Sequence, residues 1–141
     1  VYDIEYISYD NSGGKYIIKA LRGEISNKDK NLTLMENVNA TILLKDSSPI
    51  NFWSNKAVYN NMNYTTKFYG DVLMTYMKHN IKSDNLNLNF SKNLATISDN
   101  VVYKNSNTSL KADTVKIDLL TKDTKIYMND DSKKIKVIST N

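Results

Sequence analysis

Apolar and polar side chains alternate along much of this chain with a period of two, the pattern of a strand that buries one face. Over residues 85–90, Leu86, Leu88 and Phe90 share one face and Asn85, Asn87 and Asn89 share the other. Val115, Ile117 and Leu119 alternate in the same way with Lys116 and Asp118. Phe68, Val72, Met74 and Tyr76 have a common parity, as do Ala95, Ile97, Val101 and Tyr103. No long stripe of period 3.6 with capping residues competes with this pattern. The stretch 16–25 is short and interrupted by Gly23, so it too is expected to be a strand. Turn-forming clusters punctuate the alternation at 11–14, 28–31, 46–49, 60–63, 78–80, 91–93, 105–107, 121–123 and 130–133. Their spacing of roughly 12 to 17 residues divides the chain into about ten strands, an all-β meander.

The chain also repeats. At an offset of 29, S-N-K-A-V-Y from Ser54, S-D-N-L-N-L from Ser83 and A-D-T-V-K-I from Ala112 coincide, and Phe68, Ile97 and Ile126 fall in the same register. Val72 lies over Val101, and the turn-like pairs Gly70-Asp71 and Asp99-Asn100 coincide with a third near Asp130. A looser copy places Leu34, Asn37 and Val38 under Phe68, Asp71 and Val72. Each unit reads as a strand, a polar turn and a second strand. A lone hairpin cannot bury its apolar face. Stacked hairpins make one inner surface, lined here by Tyr59, Phe68, Val72, Met74, Leu86, Leu88, Phe90, Ile97, Val101, Val115, Ile117 and Ile126. Strand twist curls such a sheet, which then either closes or remains a trough with two free edges. On the residues alone, that surface is a closed core or a groove.

Composition narrows the chemistry. The 141 residues are one domain's worth, and 40% hydrophobic with 24% charged residues is an ordinary globular mixture. No run approaches the length of a membrane span. The absence of cysteine excludes disulfides and thiolate chemistry, and a single His79 removes most zinc-site and triad arrangements. Gly13-Gly14-Lys15 lacks the spacing and the Ser/Thr of a phosphate-cradling loop. The net charge of +4 permits anionic partners, but nearly all of the basic residues are Lys and Asn is abundant, a bias of AT-rich coding. Ten tyrosines among lysines could stack nucleic-acid bases. Many of them share parity with core residues, Arg22 is the sole arginine, and no nucleic-acid partner is expected. His79 is expected in an exposed turn. Asp99, Asp130 and Asp131 read as turn residues rather than as a metal or acid–base pair, and the five N-x-S/T matches read as chance. Neither an enzyme nor a cofactor or metal site is expected.

The repeating motifs bear a likeness to a known group. The units A-V-Y…K-F-Y-G-D-V-L-M-T-Y, D-N-L-N-L-N-F…A-T-I-S-D-N-V-V-Y and A-D-T-V-K-I-D-L-L…I-Y-M resemble the OstA-like family of periplasmic lipopolysaccharide-transport proteins. The opening Y-D-I-E-Y-I…G-G-K-Y-I-I-K-A and the Phe52-Trp53 pair look most like its LptC branch. Gly70 stands where that family has a glycine before the turn, and the other copies have Asp99 and Asn129-Asp130 instead.

The resemblance implies a twisted, open, boat-like β-jellyroll over residues 1–141, a single periplasmic domain. It implies an inner-membrane anchor helix upstream of Val1. The groove would hold acyl chains of lipopolysaccharide taken from an LptBFG-type ATP-driven transporter. Lipid would pass to an LptA-type bridge protein stacked on the C-terminal edge at Ile135, Val137 and Ile138, with Lys133, Lys134 and Lys136 around it. The alternatives are a soluble LptA-like bridge, or a structural adaptor whose edges join other chains, itself included as a homodimer, without handling lipid. A sleeve of this kind makes the route passable, since each CH₂ kept from water is worth about 0.8 kcal/mol. It cannot drive transport, because the membrane shelters the chains equally well.

Overall fold

Ten strands in chain order form one antiparallel sheet, β1-β2-β3-β4-β5-β6-β7-β8-β9-β10, with β1 and β10 at its edges. The computed structural model describes residues 1–128 and the backbone of Lys136–Ser139. The strands are β1 Tyr2–Tyr9, β2 Lys15–Ile25, β3 Leu32–Leu43, β4 Ile50–Asn60, β5 Thr65–Tyr76, β6 His79–Asn89, β7 Leu94–Lys104, β8 Ser109–Asp118, β9 Asp123–Tyr127 and β10 Lys136–Ser139. No helix occurs among the described residues. The turns sit where Asn and Asp accumulate, because their side chains bond the backbone two residues on. Asp10, Asn60, Asn105 and Asp118 each accept from the amide of residue i+2 at 2.9 Å. The turn expected at 130–133 lies outside the described residues. The 29-residue repeat corresponds to successive hairpins, since β4 Ile50–Asn60 maps onto β6 His79–Asn89.

One expectation is corrected. Gly70-Asp71 and Asp99-Asn100 are not turns between strands but lie inside β5 and β7, and Gly70 is a mid-strand glycine. All four have positive φ, between 50° and 79°. The pairing register shifts at the same level on every neighbouring ladder from β4 to β8. These are bulges, one in β5 and one in β7, each adding a single residue to its strand and bending it. In β3, Asn37 marks the same line with φ 52°. Asn55 donates to Asp71 (3.3 Å), Asn85 to Asp99 (2.6 Å) and Asn100 to Asp84 (2.6 Å), cross-bracing the line on its outer side.

The bulge line creases the sheet into two leaves whose inner faces meet. Ser8 on β1 bonds Tyr59 on β4 (3.1 Å), and Tyr16 on β2 bonds Thr66 on β5 (2.7 Å). A strand's part in one leaf thus faces the other leaf three strands further along the chain. Between the leaves lies one apolar core running from Tyr16 and Ile18 to Leu119 and Ile126. The outer faces carry Asn, Lys, Asp and Thr.

Candidate functional site

All twelve residues expected on the inner surface are buried there, and all belong to one core cluster. Tyr59, Phe68, Val72, Met74, Leu86, Leu88, Phe90, Ile97, Val101, Val115, Ile117 and Ile126 are each at most 6% exposed. Phe52 stacks on Phe68 with ring centroids 5.5 Å apart, and Tyr16 packs on Phe90 at 5.4 Å. Tyr16, Ile18, Ile42, Ile50 and Phe52 also line the interior. Their alternation in β2 to β4 is as regular as in the later strands. It lay outside the clearest copies of the repeat.

The interior contains a few polar groups, among them the Ser8–Tyr59 and Tyr16–Thr66 pairs, while the buried Asn93 Oδ1 has no hydrogen-bond partner. Burial pushes the Tyr16 phenol well above its ordinary pKa, against the opposing effect of the Thr66 hydroxyl. Tyr59 is raised for the same reason, against the bond to Ser8. Both phenols are therefore neutral at physiological pH, suited to an apolar wall.

The leaves part near the C-terminal end of the roll. There Ile50, Met74 and Ile81 face Val115, Ile117 and Ile126 across an apolar cleft with an enclosed volume of ≈ 40 Å³. Since one water needs about 10–15 Å³ of such space, the cleft has room for only a few waters. At the mouth stand Tyr76, His79 and Tyr103, half-buried, with Lys122 reaching in from the β8–β9 turn. His79 is not the exposed turn residue expected from the sequence. It is the first residue of β6, stacked between Tyr76 and Tyr103, and its Nδ1 is bonded to the Tyr103 hydroxyl. A two-residue link at 77–78 suffices for this hairpin, which moves His79 out of the turn and onto the ladder opposite Tyr76.

The two edges differ. The free edge strand β1 presents Tyr2, Ile7 and Tyr9 to solvent at 66%, 45% and 72% exposure, with Asp3 and Glu5 as its charged residues. At the other edge, β10 pairs with β9, Val137 opposite Lys125 and Ile138 opposite Thr124. Ile135, Lys133 and Lys134 lie outside the described residues, as do Asp130 and Asp131. Asp99 lies on the crease and accepts from Asn85. No cluster of three metal-ligating side chains is present among the described residues.

Comparison with known proteins bears on this geometry. A family model described as lipopolysaccharide-assembly, LptC-related, matches residues 1–133. Among solved structures, the fold is similar to LptH of Pseudomonas aeruginosa, described as the LptA-homologous periplasmic component of a lipopolysaccharide transport device. That similarity has a TM-score of 0.63 and 8% identity over 89% of this chain and 95% of that one. No curated protein matches the sequence significantly.

Proposed function

Because the chain belongs to the LptC-related family of lipopolysaccharide-assembly proteins, we propose that it shelters lipopolysaccharide acyl chains between its two leaves and passes them on to an adjoining protein. The observation that supports this reading is the interior itself, a largely apolar face to which every strand from β2 to β9 contributes, in a sheet whose ends do not join. The chain carries out no covalent chemistry in this reading. It works at the periplasmic side of the inner membrane, held there by a segment upstream of Val1 and supplied by an ATP-driven transporter. The outgoing partner, an LptA-type bridge, adds a strand to β10 around Val137 and Ile138, so that backbone hydrogen bonds supply the junction.

A photo-crosslinking side chain at Phe68, Leu88 or Val101 should capture lipopolysaccharide in cells, and one at outward Asn87 or Lys116 should not. Equal labelling of both faces would refute the reading. The small volume of the cleft favours a second reading, a structural adaptor with a dry interior. That reading expects proline at Val137 to abolish partner binding while no interior position crosslinks to lipid.

A further inference from the structure

Trp53 is the sole tryptophan of the chain. It is 42% exposed within β4, turned outward between the buried Phe52 and Ser54. Strand pairing sets it in a row across the outer face of the leaf that carries 72–76 of β5. Trp53 opposes Leu73, Leu73 opposes Lys82, Lys82 opposes Val102 and Val102 opposes Lys111. Four strand spacings make this row about 19 Å long. Leu73 and Val102 are half-buried while Lys82 and Lys111 are exposed, so an indole, aliphatic groups and ammonium groups share one surface. Lys104, two residues beyond Val102 on the same face, adds a third exposed cation. Outward carboxylates are scarce there. Among the described strand residues of this leaf beyond the crease, the one such group is Glu5, 3.8 Å from Lys19. The outer face of the other leaf also has lysines, Lys67, Lys116 and Lys125, but with Glu24, Asp118 and Asp123 exposed among them.

We propose that the Trp53 face lies flat on an anionic phospholipid bilayer, with the indole at the boundary of head groups and acyl chains and Lys82, Lys104 and Lys111 over the phosphates. An indole, apolar in body and polar at its N–H, is at home at that boundary. Each lysine held near an anionic leaflet strengthens partitioning about fivefold, and three do so about a hundredfold. The charge selects anionic over neutral lipid. Single-stranded nucleic acid fits less well, since bases stack on successive rings and the row neighbours of Trp53 are Asn39 and Leu73. This docking concerns the outside of the roll and is independent of whether acyl chains enter its interior.

The test uses the tryptophan as its own probe, with the purified chain and vesicles of phosphatidylcholine alone or with about one-third phosphatidylglycerol. Partitioning in vesicle flotation should be at least thirtyfold stronger on the anionic vesicles. Trp53 emission should shift to the blue and be quenched by lipid brominated on its acyl chains. Lys82→Gln, Lys104→Gln and Lys111→Gln combined should weaken partitioning about a hundredfold. Lys67→Gln, Lys116→Gln and Lys125→Gln combined remove the same charge from the other leaf and should weaken it less than threefold. Equal losses in the two triple variants, or equal partitioning on the two kinds of vesicle, overturn the proposal. So does binding that leaves Trp53 emission unchanged, a readout in the unmodified chain that does not depend on how the variants fold. Lipid taken into the interior without docking gives that last result, so the acyl-chain reading stands or falls separately. Quenching by a thymidine oligonucleotide without vesicle binding assigns the face to nucleic acid instead.

Discussion

Tyr16 carries the clearest single-residue consequence. Its phenol is fully buried, and burial holds the folded-state pKa above the unfolded value of 10.0 against the opposing effect of the bond to Thr66, itself 1% exposed. The folded state therefore holds the proton longer than the unfolded chain does. The contribution to stability is complete below about pH 10 and is lost as pH rises toward the folded pKa. Tyr16→Phe should cost about 1 kcal/mol at neutral pH through the abandoned Thr66 hydroxyl. It should also flatten the fall of urea midpoint between pH 9 and 11.5, and parallel falls in both proteins would count against this account. Gly70 makes a second prediction. Its φ is 79°, and an added Cβ would stand 3.2 Å from Asn55 Cβ. Gly70→Ala should destabilise by about 1–2 kcal/mol, measured by chemical denaturation.

At the level of strands, the alternation was legible and the crease was not. Period two identified the inward residues at the ends of β6 and β8 because Leu86 and Leu88, with Phe90 just beyond β6, alternate without interruption, as do Val115 and Ile117 with Leu119 just beyond β8. It broke down in mid-strand. From Ser83 to Leu86 and from Ala112 to Val115 the buried positions are three apart, while across Ile97 to Val101 they are four apart. A bulge with two left-handed residues looks, as text, like a turn, because both use Gly, Asn and Asp for their tolerance of positive φ. Lys122 was illegible for another reason, since a charged residue in a polar turn gives no sign that its stem turns inward. The edges follow from strand order. Ile7 is exposed on β1, a strand with one unpaired side. Ile7→Lys should reduce self-association in sedimentation velocity without lowering the melting temperature, as lysines do on protected edges.

For the molecule as a whole, the repeat and the crease act together. Since β4 maps onto β6 at 29 residues, deleting residues 55–83 joins Ser54 to Asp84 and preserves both the corner and the leaf register. Such a chain should fold as a roll two strands shorter, with a lower melting point and a single cooperative transition by circular dichroism. Removing half that length should prevent folding, because it reverses strand direction. The leaf-to-leaf bonds also limit the kinetics. Ser8 meets Tyr59 and Tyr16 meets Thr66 across sequence separations of 51 and 50. Every later strand docks on one only three places away, so the longest loop that must close stays near that length however many units follow. Closure entropy and contact order govern folding rate. A chain of this design can therefore wind up progressively from one end, and adding units would extend the roll without slowing its formation.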